Sequence, residues 1–192
     1  MKNKNAAFIV LAIAMLQVIS CAHWQKNKDL TVYIRQEREN LSRSSVLVFN
    51  FLEPAYAEGM GAKVAEVFHL NLLGAQKFKI ASLESHSNWN RITETEESRL
   101  LSAIEEGKSK NFDYILVGEL VDFYHGGINP TRVKLKVRLI EARTRVTVFL
   151  AECSKQSQAK DPSFPMNTQL SNQAETPMKL AASIAKMMIE KL

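Results

Sequence analysis

Phe112-Asp113-Tyr114-Ile115-Leu116-Val117-Gly118-Glu119-Leu120-Val121-Asp122-Phe123-Tyr124 reads as a strand that starts buried and ends exposed. Tyr114 to Val117 is a continuous apolar run, as a strand covered on both faces requires, and the second half alternates. Gly126-Gly127-Ile128-Asn129-Pro130 breaks the chain as a turn. Val133, Leu135, Val137 and Leu139 follow, interleaved with Lys134, Lys136 and Arg138. So regular a period of two predicts a strand with one wet face. Glu141-Ala142-Arg143-Thr144 is a short turn, and Val146 to Cys153 completes a hairpin.

Upstream, Ser45-Val46-Leu47-Val48-Phe49 predicts a buried strand, and Asn50 to Gly59 a loop holding Pro54. Ala62 to Leu73 reads as a helix, with Val64, Val67, Phe68 and Leu72 at helical spacing and Gly74 as its C-cap. Phe78-Lys79-Ile80-Ala81 reads as a second short strand, and Ser85 to Ile92 as a polar loop with His86 and Trp89. Thr93 or Thr95 can cap a further helix, whose Glu96 and Glu97 suit the positive end of the helix dipole. Leu100, Leu101 and Ile104 are expected to face inward, with Gly107 and Lys108 closing the end. Residues 154–175 are a long polar loop with Pro162 and Pro165. Thr176-Pro177 opens the last helix, whose core face is Leu180, Ile184, Met187 and Met188. The order β-α-β-α-β-β-β-α predicts an α/β chain of the α+β kind: one mixed sheet of about five strands, with helices packed on it, over residues 45–192.

The N-terminus carries a different message. Lys2 and Lys4 precede an apolar run from Ala6 to Ile19, in the order of a secretory signal, residues 1–20. The run is too short for a comfortable span, which needs about 20 residues. Val18-Ile19-Ser20-Cys21 resembles a bacterial lipobox, in which the cysteine becomes the lipid-bearing N-terminus. An ordinary secretory signal with a chance cysteine is the alternative. Residues 21–44 are expected to be the lipidated end and a short tether, although Leu30, Val32, Tyr33 and Ile34 could add a strand. A coil of that length covers roughly 25–30 Å, so the domain is expected close to its membrane.

Removing residues 1–20 leaves 172 residues, enough for one domain with a real core. The remaining 23 basic and 20 acidic groups give +3, too mild a balance to argue for nucleic acid. Cys153 is then the one cysteine besides Cys21. It can be a buried small hydrophobe, an intermolecular partner or a reactive thiol; its place at the end of an apolar strand favours burial.

Val46-Leu47-Val48-Phe49-Asn50-Phe51, Gln76-Lys77-Phe78-Lys79-Ile80, Phe112 to Leu120 and the hairpin from Val133 to Leu150 together resemble the CsgG-like superfamily of bacterial envelope lipoproteins. That group includes the curli channel CsgG, the Pel polysaccharide export lipoprotein PelC, LpoB-type activators of penicillin-binding proteins and, more distantly, the N-terminal domain of TolB. Asp113 to Gly118 reproduce the Asp-Tyr-hydrophobic-hydrophobic-x-Gly pattern of its third strand; Arg145 after Thr144 departs from its Thr-Gly turn. The resemblance covers roughly residues 45–153 and implies the fold more strongly than the function. The curli channel adds two long amphipathic hairpins that build a barrel, and this chain has one such hairpin, already used in the core sheet. The LpoB type adds a long tether, and the tether here is short. The resemblance to the Pel-type export lipoprotein, a ring-forming protein, is therefore the strongest.

Candidate chemistry is sparse. Gly59-Met60-Gly61 ahead of a helix invites a phosphate-loop reading, but the Gly-Lys-Ser/Thr of a Walker loop is absent, so a helix-entry loop is the expected role. His23, His69, His86 and His125 are scattered without metal-ligand spacing. No nucleophile elbow or pair of catalytic carboxylates stands out. Lys134, Lys136 and Arg138 share one strand face, beside a strand with apolar residues on both parities, Val148 and Leu150 among them. Either the last helix covers that second apolar face, or a partner or another copy does. Trp24 and Trp89 are candidate membrane contacts, ordinary loop packing being the alternative for Trp89.

The resulting expectation is a non-enzymatic lipoprotein at the periplasmic face of the outer membrane, with no cofactor beyond lipid on Cys21. It would be an accessory of polysaccharide or protein export, self-associating in a ring and touching other envelope proteins. Ala22, where Asp would oppose it, is compatible with outer-membrane sorting. A regulator docking a cell-wall synthase, and a thiol- or metal-dependent envelope enzyme, are the rivals.

Overall fold

The computed structural model describes residues 30–34, 41–84, 96–125, 130–157 and 176–192. Its strands are β1 (Leu30–Ile34), β2 (Ser45–Phe49), β3 (Ile80–Glu84), β4 (Tyr114–Tyr124), β5 (Arg132–Glu141) and β6 (Thr147–Gln156). Its longer helices are α1 (Met60–Ala75), α2 (Glu96–Ser109) and α3 (Pro177–Glu190). All six strands lie in one mixed sheet, ordered β1-β6-β5-β4-β2-β3. β2 pairs in parallel with both β3 and β4, while β4, β5, β6 and β1 pair antiparallel in turn.

The expected fold class holds, with six strands where about five were expected. The extra one is β1, inside the stretch read chiefly as tether. Leu30 and Val32 pack against the core, opposite Cys153 and Ala151 of β6, and that packing draws the segment into the sheet. It spans the residues, Leu30 to Ile34, that the sequence allowed as a short strand within the tether.

Both faces of β2 and of the first part of β4, Tyr114 to Val117, are buried, which explains their unbroken apolar runs. On the main face Val46, Val48, Leu116 and Leu120 meet α1 and α3, joined by Val133, Leu135, Val137 and Leu139 of β5. On the second face Leu47, Phe49, Ile115 and Val117 meet Ala103 and Ile104 of α2.

The Asp113-to-Gly118 pattern has a physical reason at each end. The Asp113 carboxylate accepts from Ser45 N at 2.7 Å and Ser45 Oγ at 2.8 Å, tying together the starts of two parallel strands. At Gly118 a Cβ would lie 2.3 Å from the ring of Phe51. That ring rests against the bare backbone and packs on Phe68 with centroids 5.0 Å apart.

Several boundaries differ from the expected ones. α1 runs past Gly74 and stops at Gln76, whose left-handed backbone (φ 51°) donates its N–H to Leu73 O. The stop follows from Phe78, which turns in to pack on Tyr114 with centroids 6.0 Å apart; β3 consequently begins at Ile80 rather than Phe78. In α2, Leu101 is 42 % exposed, and Ala103 takes its place beside Ile104. Gly107 lies within α2 and does not end it: a Cβ there would come 2.4 Å from Ile115 Cγ2, so this glycine sets how closely the helix approaches the sheet. Asn111, at φ 58°, makes the turn after the helix. Thr93 and Thr95 lie outside the described residues. β6 continues through Ser154 to Gln156, the first residues of the expected polar loop. α3 begins as expected: Thr176 caps it by accepting from Lys179 N, and Leu180, Ile184 and Met188 are buried.

Lys110 braces α2 against the outer strand through Glu84 and Glu106. These two carboxylates, Glu84 first, hold its pKa above the ordinary lysine value of 10.5. A raised lysine pKa stabilises the fold fully below the ordinary value and loses that contribution as pH climbs through the raised one. Denaturation midpoints for the native chain and Lys110→Met should therefore differ at pH 8 and converge well above pH 10.5. Gly118→Ala forces the Phe51 ring out of place and should cost about 1–3 kcal/mol of stability, measured by urea unfolding.

Candidate functional site

Among the described residues, only half of the second sheet face is covered. α2 lies over β2 and the start of β4, leaving a broad surface on β5, β6 and β1. Lys134, Lys136 and Arg138 stand on this surface, as their alternation requires. The row is not purely basic. Lys136 lies in register between Glu119 and Glu152, and Lys134 Nζ reaches Glu152 Oε1 at 2.7 Å. Arg132 pairs with Asp122 at 3.6 Å and lies over the Tyr124 ring, 5.6 Å from its centroid.

The two apolar partners of that row separate. Leu150 remains on the open surface, in register between Arg138 and Tyr33. Val148 packs against the main core instead, because a register shift in the β5–β6 pairing breaks the alternation. The last helix covers Phe149, Ala151 and Cys153 on the main face, the face opposite the basic row. A small hollow of about 30 Å³ sits where α2 ends its cover, between Leu100, Val117, Lys136 and Arg138.

A larger opening, about 580 Å³, lies at the start of β2 and β4 beside the β5–β6 turn. Its acids already serve the fold. Asp113 holds Ser45, while Glu141 accepts from Thr144 Oγ1 at 2.5 Å and pairs with Arg143 at 3.6 Å.

The glycine loop before α1 is a helix entry. Glu53 reaches across it, accepting from Gly59 N at 2.7 Å and also from Gly61 N. A carboxylate of the chain itself thus fills the place a bound anion would take at this helix end. No signal in the sequence marks Glu53, which lies six residues before the helix N-cap, Gly59. His69 Nε2 donates to Ala81 O at 3.0 Å, and His125 Nδ1 bonds with Thr131 Oγ1 at 3.2 Å, so these two histidines serve separate local bonds. Cys153 is fully buried in the main core, as its strand position suggested. Among the described residues no group of three or more His, Cys, Asp or Glu could hold a metal, and no helix is long and apolar enough to cross a membrane. Cys21, His23, Trp24, His86 and Trp89 lie outside the described residues.

The fold is thus a six-stranded α+β sheet with two helices on one face and one on the other. No family model matches the chain, and no curated protein matches it. Solved structures do. PelC from Paraburkholderia phytofirmans, a dodecamer, superposes with a TM-score of 0.61 at 13 % identity, covering 85 % of this chain and 97 % of that one. A variant of that PelC, also a dodecamer, gives a TM-score of 0.54 at 15 % identity over 84 % and 94 % of the two chains. A lipoprotein of Neisseria meningitidis overlaps less closely, with a TM-score of 0.44 at 17 % identity over 75 % and 96 %. At such identities the PelC likeness establishes a common fold.

Removing the internal cap tests its role. Glu53→Ala should lower stability by about 1 kcal/mol, and inorganic phosphate should leave the melting temperature of the native chain unchanged, both read by thermal denaturation.

Proposed function

We propose that this chain is a lipid-anchored, non-catalytic component of a bacterial envelope export apparatus, working as a ring of identical copies at the periplasmic face of the outer membrane. The observation that carries the reading is the superposition on nearly the whole of a PelC protomer, a protein that forms a dodecamer. The signal and lipobox pattern ending at Cys21 supports the anchor. Trp24 and Trp89 are the proposed contacts with the bilayer surface. The half-covered face with Lys134, Lys136, Arg138 and Leu150 is the proposed surface for other envelope proteins. Val148 drops out of that surface because it packs inward. The cargo class is a polysaccharide or a protein, and the reading requires no cofactor and no nucleic acid.

Two measurements test it. The native protein should fractionate with outer membranes and carry acyl chains on its first residue by mass spectrometry, while Cys21→Ser should remain unacylated. In detergent the native protein should sediment as a defined multiple of the protomer. An unmodified N-terminus in the soluble fraction, or a strict single copy, would remove the reading.

A further inference from the structure

A closed ring of more than two copies needs two different, mutually fitting patches on each copy, since a patch that fits only itself stops at a dimer. Among the described residues nine large apolar side chains stand well exposed, and five of them lie at the two opposite ends of the sheet order. At the β1 end are Tyr33, 59 % exposed, and Ile34, 40 % exposed. At the β3 end are Ile80, 50 % exposed, and Leu70 and Leu73 of α1, 57 % and 47 % exposed.

The two ends match in form. β1 and β3 are each five residues long, and no strand pairs with the outer edge of either among the described residues. Each end offers apolar groups on both sides of the sheet. Ile34 shares the main face with Phe149, and Tyr33 shares the second face with Leu150. Leu73 belongs to the helix on the main face, one turn from the His69 that bonds to β3, while Ile80 shares the second face with Leu47. Strand direction also fits. Following the pairings across the sheet, β1 runs opposite to β3. A sheet continued from one copy to the next with the same strand sense would join them as an antiparallel pair, the arrangement that short edges pair in most readily.

Building on the ring reading above, we infer that the β1 edge of one copy docks on the β3 edge and α1 flank of the next. The occupant of each edge is a second copy of this chain. Tyr33 and Ile34 form one half of the joint, and Leu73, Ile80 and Leu70 the other. Left unpaired, two such edges would be open to indiscriminate strand addition, and a head-to-tail join covers both at once.

The test uses the full lipidated chain in detergent. One variant carries Tyr33→Glu and Ile34→Glu, a second carries Leu73→Glu and Ile80→Glu, and Leu101→Glu on α2 is the control. Circular dichroism and melting confirm that each is folded. Each edge variant alone should sediment as a single copy, with association weakened about tenfold or more, while the control keeps the native size. Mixed in equal amounts, the two edge variants should form a complex of two, because each retains the half that the other lacks. A join between identical patches would give no such rescue. A second measurement covers the case in which an edge variant unfolds: Thr31→Cys and Ser82→Cys chains, mixed and treated with a bismaleimide, should cross-link. Native-size assemblies from a folded edge variant, absence of pairing in the mixture, or absence of cross-links in an intact oligomer would each overturn the edge assignment while leaving the ring standing. A native chain that is itself a single copy would overturn both.

Discussion

The ring of Phe51 fits only because Gly118 has no side chain. A Cβ on that glycine would overlap three ring carbons, each within 2.5 Å. From this contact the surroundings follow in order. The backbone beside the ring is stitched to the central strand, with Leu52 N donating to Gly118 O at 2.9 Å and Leu120 N donating to Leu52 O at 2.7 Å. The far side of the ring meets Phe68, which fixes the height of α1 above the sheet. Gly61 then passes so close to the Phe51 carbonyl that any side chain there would collide with it. Two glycines far apart in sequence thus accommodate one residue, Gly118 its ring and Gly61 its carbonyl, and the first helix takes its position from them.

That arrangement explains which parts of the chain were legible beforehand. Val46 to Phe49 and Tyr114 to Val117 had to be strands because both faces of each are covered, and an unbroken apolar run is the direct consequence. The alternation from Val133 to Leu139 was legible for the opposite reason, since one face meets the core and the other carries charge. The last helix declared itself through Thr176 and Pro177, which act locally. Features that depend on distant partners were legible only in part or not at all. Leu30 to Ile34 could be read as a strand but not required to be one, because the partner that makes it one, β6, lies more than a hundred residues away. Gly107 looked like a helix stop and is a contact with Ile115. Leu101 looked inward by spacing, but the close approach at Gly107 rotates the buried stripe toward Ala103.

The candidate surfaces divide in the same way. Alternation alone put Lys134, Lys136 and Arg138 on one face, and they share it. The acids that temper them, Glu119 and Glu152, come from the strands on either side, and only the register brings them together. Val148 was expected beside Leu150 because a regular strand would place them so. The shift between Leu139 and Ile140 turns one inward and leaves the other out. Glu53 was invisible as a cap because its carboxylate reaches forward across a loop rather than standing at the cap position itself.

The first strand begins at Leu30, nine positions after Cys21. An acylated Cys21 would leave a leash of at most about 32 Å, well under half the length that a tether running to residue 44 would allow. The leash would also be sewn into a margin of the sheet rather than into its middle. Neighbouring copies would then meet while sliding within a thin slab above the lipid, all standing the same way up. Two-dimensional confinement of that kind raises their mutual concentration and discards most wrong orientations before contact.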